Sequence, residues 1–152
     1  MSITIRVFDP ADTEAVLALW LQAFPEYNDT SRPHRNPRLS IANKLGTQPE
    51  LFFVAADRDG AIVGTAMAGY DGHRGWLYSL AVAHEARRLG IGTRLVRHAE
   101  SALAAMGCLK LNLQVLSDKP EVIAFYDALG YRADAVVSLG KRLSVQEPAA
   151  VA

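Results

Sequence analysis

Leu80-Ala-Val-Ala-His-Glu-Ala-Arg-Arg-Leu-Gly-Ile-Gly-Thr93 decides how this chain is read. An apolar strand runs out, the chain turns through a basic loop bearing two glycines, and an amphipathic helix begins. That order builds an anion site. Backbone N–H groups in the first turn of a helix have no intrahelical partner, and the helix dipole favours negative charge there. Gly90 and Gly92 let the backbone approach a bulky phosphate without a Cβ in the way. Arg87, Arg88 and Arg94 add charge around the same point, so the loop is expected to cradle a pyrophosphate. Spacing separates it from two other phosphate loops. A P-loop carries Lys-Ser/Thr after its last glycine, whereas Gly92 is followed by Thr93-Arg94. A dinucleotide loop carries three glycines after the first strand of a βαβ unit, and this one has two, in mid-chain. A plain helix start after a turn would explain the glycine pair alone; the flanking strand is what gives the loop its weight.

Composition bounds what surrounds the loop. The chain has 152 residues and is half apolar, enough for one domain with a single core. Lys+Arg and Asp+Glu number 16 each, so net charge gives no sign of a nucleic-acid partner. No apolar run approaches the roughly 18–20 residues that cross a bilayer. Met1-Ser-Ile-Thr-Ile-Arg6 lacks the basic region and long apolar core of a signal peptide. A cytoplasmic protein is expected, monomer or homodimer, with no membrane partner. The single cysteine, Cys108, excludes an internal disulfide and a cysteine-based zinc site. It lies between a helix end and a strand and reads as a buried thiol. His34, His73, His84 and His98 have no metal-ligand spacing, and no metal is expected.

The remaining elements follow from periodicity and punctuation. Ile3 to Phe8 alternates as a strand, and Asp9-Pro-Ala-Asp12 starts a helix, with Asp9 as N-cap and Pro10 first inside. Val16, Leu19, Trp20 and Ala23 mark its buried face. Pro25 to Pro37 reads as a loop, and a short helix follows from Pro37 to Leu45. Leu51 to Ala56, Ala61 to Tyr70 and Trp76 to Val82 form an antiparallel meander, joined by turns at Asp57-Arg-Asp-Gly60 and Asp71-Gly-His-Arg-Gly75. The helix after the loop presents Ile91, Leu95, Ala99, Ala102, Leu103 and Met106, and Gly107 stops it. A strand from Leu109 to Val115, a helix from Glu121 to Leu129, two short strands (Tyr131 to Val136 and Val137 to Leu143) and a frayed tail from Gln146 to Ala152 complete the chain. Residues 1–145 are expected to form one domain.

Two motifs in this order carry a resemblance. Arg87-Arg-Leu-Gly-Ile-Gly92 fits Arg/Gln-x-x-Gly-x-Gly/Ala, and Ala124-Phe-Tyr-Asp-Ala-Leu-Gly-Tyr131 follows after a strand. Both resemble signatures of the GNAT superfamily of N-acetyltransferases, whose α/β arrangement, β-α-α-β-β-β-α-β-α-β-β with a splayed central sheet, matches residues 3 to 143. More narrowly, Gly69-Tyr-Asp-Gly-His-Arg-Gly75 and Ser138-Leu-Gly-Lys-Arg-Leu143 resemble a small bacterial subgroup, the YpeA type. The resemblance implies acetyl-CoA as acyl donor and an amine acceptor, small molecule or protein amine. It implies direct attack in a ternary complex without a covalent enzyme intermediate.

The same resemblance assigns roles. The N–H of Leu80 would face the acetyl carbonyl, and Val82 would pair with pantetheine inserted like an added strand. The N–H groups of Arg88, Leu89, Gly90, Ile91, Gly92 and Thr93 would hold the pyrophosphate, with the Arg87 or Arg88 guanidinium on phosphate oxygens. Tyr126 would protonate the departing thiolate; phenol and thiol both ionise well above neutrality. Lys119 stands where many members carry an asparagine on the cofactor, and an ammonium could still approach a phosphate. His84 replaces a usual proline, and Arg88 a frequent glycine. Trp76 stands four before Leu80, where some members place a glutamate base, and the strand carries no carboxylate.

The base is therefore open among Glu26, Asp29, Tyr78, Ser79 and solvent. Asp71-Gly-His-Arg74 is read as a polar hairpin turn rather than a catalytic group. Arg32, His34, Arg35 and Arg38 form a basic cluster that suits either a solvated loop or an acceptor with a carboxylate or phosphate. A non-catalytic acyl-CoA sensor or interaction module is the competing function.

Overall fold

The structure is a computed structural model that describes residues 2–29 and 31–143. Two compact units divide it, 1–116 and 117–152. The first holds β1 (Thr4–Val7), α1 (Thr13–Ala23), α2 (Pro37–Leu45), β2 (Phe52–Ala56), β3 (Ile62–Tyr70), β4 (Gly75–Val82), α3 (Ile91–Ala105) and β5 (Leu111–Leu113). Its five strands form one sheet in the order β1-β2-β3-β4-β5, antiparallel except for the parallel pair β4/β5.

Turn chemistry sets the meander. The Asp57 carboxylate accepts from the N–H groups of Asp59 and Ala61, both at 2.9 Å. The Asp71 carboxylate accepts from those of His73 and Arg74, both at 2.7 Å. These Asx turns reverse the chain at the ends of β3. At the start of α1 the expected cap is present in a tighter form. Asp9 accepts from the Ala11 N–H, Asp12 accepts from the Asp9 N–H, and Pro10–Asp12 make a 3-10 turn ahead of the α-helix. Arg6 grips Asp12 with two bonds of 2.7 and 3.0 Å, tying β1 to this turn.

The sheet is covered on both faces. Adjacent β3 residues point oppositely: Thr65 meets Trp20 of α1, whereas a Cβ at Gly64 would meet Leu95 and Ile91 of α3. All of β2 is buried between these layers, with Phe52 stacked on Phe8 at 4.2 Å. Ile91, Leu95, Val96, Ala99 and Leu103 of α3 are buried at helical spacing, whereas Met106, expected on the same face, is exposed.

The second unit contains α4 (Pro120–Ala128), closed by Gly130 at φ +96°. Arg132 bonds the Asp127 carboxylate at 2.9 Å and its carbonyl at 3.0 Å. Here the sequence expectation needs correction. Residues 131–143 are irregular, and the sheet has five strands among the described residues rather than seven. Val136, Val137, Leu139 and Leu143 are at least three-quarters exposed. The β-branched pair Val136–Val137 records a capacity to form strand, and that capacity is realised only beside a neighbour that takes the backbone bonds. The strand expected over Leu109 to Val115 shortens to β5, with Leu109 wholly exposed. Gln146 to Ala152 lies outside the described residues.

Candidate active site

The site begins at an irregularity in β4. Met67 pairs with Tyr78, but Thr65 pairs with Ala81, so one extra residue enters β4 at Ser79–Leu80. Ser79 takes φ +54°, a left-handed backbone that side chains other than glycine rarely adopt. On the other side, pairing with β5 runs only from Gly75↔Leu111 to Leu77↔Leu113. Beyond Leu77, among the described residues, β4 keeps β3 on one edge and has no ladder on the other. The Ala83 N–H donates to the Val63 carbonyl at 2.8 Å, so by antiparallel alternation Val82 faces the open edge. Its carbonyl there receives Arg87 Nε at 3.4 Å. A fork with no strand beside one tine is thus present among the described residues, where an added extended chain could pair.

The fork leads into the basic loop. After a tight turn over His84–Ala86, Arg87 is extended (φ −69°, ψ 158°), Arg88 is left-handed (φ +68°) and Gly90 (φ +76°) is the N-cap of α3. The Arg94 N–H closes the first helical bond to the Gly90 carbonyl at 3.0 Å. The N–H groups of Ile91, Gly92 and Thr93 precede it, and no side chain caps them. Three donors, the positive end of a 15-residue helix and the exposed side chains of Arg87 and Arg88 therefore meet in one place. Leu89, also exposed, completes the turn. Arg94 departs from expectation: its guanidinium bonds the Ile3 carbonyl at 3.1 Å, directing it toward β1.

The other expected residues divide. Tyr126 is buried in α4, edge-on to Phe125 and Tyr131 at 5.1 and 5.5 Å. Burial pushes its phenol up to about 12, so it holds its proton at neutral pH. Lys119 is half-buried at the N-cap position of α4, and its carbonyl accepts from Val122 and Ile123. Among the base candidates, Asp29 is engaged within its own loop, accepting from the Ser31 N–H and hydroxyl at 3.0 and 2.6 Å and pairing with Arg32. Glu26 is half-buried in the turn Pro25–Asn28. Burial raises the Tyr78 phenol. The Asp71 carboxyl is held low by the Arg74 and His73 N–H groups, as a turn residue is.

The basic cluster is largely neutralised. Arg38 makes a two-point pair with Glu14 at 2.9 and 3.1 Å, and Arg32 pairs with Asp29. Arg35 is half-buried, with its charge felt at Tyr27. Tyr27 itself was not singled out by sequence reasoning. It packs against Trp20 and Phe24 (6.1 and 5.4 Å), and burial raises its phenol. The spacing Trp20, Phe24, Tyr27 continues the α1 period into the loop, and that was the available signal. No helix among the described residues is long and apolar enough to cross a membrane.

Residues 13–131 match the acetyltransferase (GNAT) family model. The chain belongs to the GNAT family of acetyltransferases. It is 44% identical over 143 residues to an acetyltransferase of Yersinia enterocolitica, covering 94% of this chain and 97% of that one. It is 43% identical over 139 residues to one of Pectobacterium atrosepticum, covering 91% and 94%. Among solved GNAT-fold structures, Ard1 from Thermoplasma volcanium superposes with TM-score 0.75 at 27% identity, over 89% of this chain and 86% of that one. A PaiA N-acetyltransferase from Thermoplasma acidophilum in complex with coenzyme A gives TM-score 0.75 at 20% identity, over 90% and 94%. This GNAT protein is accordingly an acyltransferase of a bacterial subgroup, in a family that uses acetyl-CoA and acts on amine acceptors.

Proposed function

We propose that this protein transfers an acetyl group from acetyl-CoA to a primary amine, of a small molecule or a protein, by direct attack in a ternary complex. The observation that carries the reading is the continuous path from the unpaired edge of β4 beyond Leu77 to the uncapped N–H groups of Ile91, Gly92 and Thr93. Pantetheine would pair with Val82 along that edge, and the pyrophosphate would sit on the amides from Arg88 to Thr93, with the Arg87 and Arg88 side chains beside it. Lys119 would add charge toward the cofactor. Acetyl-CoA supplies an activated thioester carbonyl. The Leu80 N–H would stabilise negative charge developing on its oxygen. The amine nitrogen forms the new C–N bond, the C–S bond breaks, and Tyr126 gives its proton to the leaving sulfur. A phenol held protonated by burial suits a donor and not a base. The amine would lose its own proton to solvent, because β4 carries no carboxylate. The family match spans both compact units, which supports one catalytic domain over residues 1–145; a cytoplasmic monomer or homodimer is our reading of its setting.

The test is thermal unfolding with acetyl-CoA, CoA, ATP or NAD. A ligand bound only by the folded state raises stability by about 2.7 kcal/mol at ~100-fold excess over Kd. Stabilisation by acetyl-CoA, followed by CoA release with an amine panel, is expected; stabilisation by ATP or NAD alone overturns the reading. The missing strand carboxylate, with Trp76 in its place, favours one second reading, an acyl-CoA sensor without catalysis. Tyr126→Phe separates the two. A fall in kcat of ~100-fold or more with unchanged acetyl-CoA KM supports transfer. CoA release that is equal in both proteins supports the sensor.

A further inference from the structure

We infer that Thr65 is a positioning residue for acetyl transfer: its hydroxyl fixes the peptide between Ser79 and Leu80 so that the Leu80 N–H faces the open edge of β4. The inference rests on the acetyl-CoA reading above and adds the side chain that aims the backbone donor.

Thr65 is the only polar residue in the buried run Val63–Ala68, and it is fully buried. Valine would fill the same space without a hydroxyl to satisfy. The hydroxyl is satisfied in one way. Trp20, itself fully buried, donates its indole N–H to Thr65 Oγ1 at 2.8 Å. Thr65 Oγ1 donates in turn to the Ser79 carbonyl at 2.8 Å. The indole has no acceptor, so the direction of this relay is fixed.

The Ser79 carbonyl and the Leu80 N–H belong to one planar trans peptide and point in opposite directions. Holding the carbonyl toward β3 therefore turns the N–H away from β3. That side is the edge on which β4 lost its pairing with β5 at Leu77. Ser79 needs such a restraint, because its φ of +54° is unfavourable for a residue with a Cβ. The bulge is thus fastened at its carbonyl from the core.

The experiment binds acetyl-CoA, 13C-labelled at the acetyl carbonyl, to wild type, Thr65→Val and Thr65→Ser. It reads the thioester carbonyl band by infrared difference spectroscopy, with CoA affinity measured by calorimetry alongside. A hydrogen bond from Leu80 lowers the band frequency in wild type. Thr65→Val is expected to keep its affinity for CoA and lose that shift, while Thr65→Ser, which restores the hydroxyl, keeps both. A full shift in Thr65→Val, or its loss in Thr65→Ser, overturns the inference. If Thr65→Val does not fold, Trp20→Phe removes the donor that orients the hydroxyl; a diminished shift supports the relay and an unchanged one overturns it. Failure of wild type to bind acetyl-CoA at all sinks the acetyl-transfer reading and the inference with it, and the calorimetry separates that failure from loss of the band shift in a protein that still binds.

Discussion

The two ends of the candidate site are built on opposite principles. Around the β4 bulge, side chains from α1 and β3 are buried and hydrogen-bonded to one another, and they hold the backbone in a conformation it would not choose. Around the α3 N-terminus little is held: three amides are uncapped, Arg88 is exposed, and Arg87, also exposed, makes one long bond to the Val82 carbonyl. The first arrangement suits a group that must be aimed. The second suits a polyanion, which needs charge and donors but tolerates many angles. Damage at the bulge should therefore appear in folding and in the transfer step, and damage at the loop in affinity.

The largest break of this contrast is Trp20→Ala, which empties a fully buried indole site and leaves Thr65 without its donor. A loss of about 3–5 kcal/mol in denaturant unfolding is expected; a loss under about 1 kcal/mol would show the bulge region to be no better anchored than the loop. Gly92→Glu puts a carboxylate in the first turn of α3, where a phosphate would sit. Acetyl-CoA affinity should fall ~100-fold by calorimetry while the unliganded unfolding midpoint barely moves, since an acid is welcome at a helix N-terminus. A large drop in unliganded stability instead would erase the distinction. On the paired side of the fork, Gly75→Ala places a Cβ 2.7 Å from Cys108 Sγ and 3.1 Å from Leu103 Cδ1. Overpacking of about 1–3 kcal/mol is expected, read by thermal unfolding.

Two smaller effects sharpen the picture. Arg88→Gly relieves a left-handed arginine but frees the unfolded chain, so stability should change by less than about 1 kcal/mol while affinity for acetyl-CoA declines several-fold. The Asp12 carboxyl is held below its ordinary value by hydrogen bonds from Arg6. A lowered folded value means that its contribution is present above the unfolded value near 3.9 and disappears as pH falls through the folded one. Arg6→Gln should flatten that part of the acid-unfolding curve and leave acetyl-CoA binding at neutral pH untouched.

Local chemistry made most of the fold legible in the sequence. Pro37–Leu45 forms as α2, the two aspartate turns close the meander, and the glycine-bearing loop opens α3. What escaped depends on residues far apart in the chain. Ser79 carries no glycine to advertise a left-handed bulge, and the Thr65 hydroxyl finds its partners 45 and 14 residues away. Arg94 fits the basic loop by spacing, yet its guanidinium is claimed by Ile3 at the other end of the unit. Arg32 and Arg38 read as a cationic cluster until Asp29 and Glu14 are seen beside them. The Val136-Val137 segment promised strands because periodicity reports what a segment can do, and pairing decides whether it does.

The unpaired stretch of β4 also has a consequence outside catalysis. A row of backbone donors and acceptors without a ladder is a template for any extended chain, including another copy of the same protein. In the proposed complex the pantetheine arm would occupy that row and shield it, and the exposed arginines beside it would repel a second copy by like charge. Stored without ligand at high concentration, this protein should self-associate sooner than it does when saturated with CoA, and light scattering across the two conditions would register the difference.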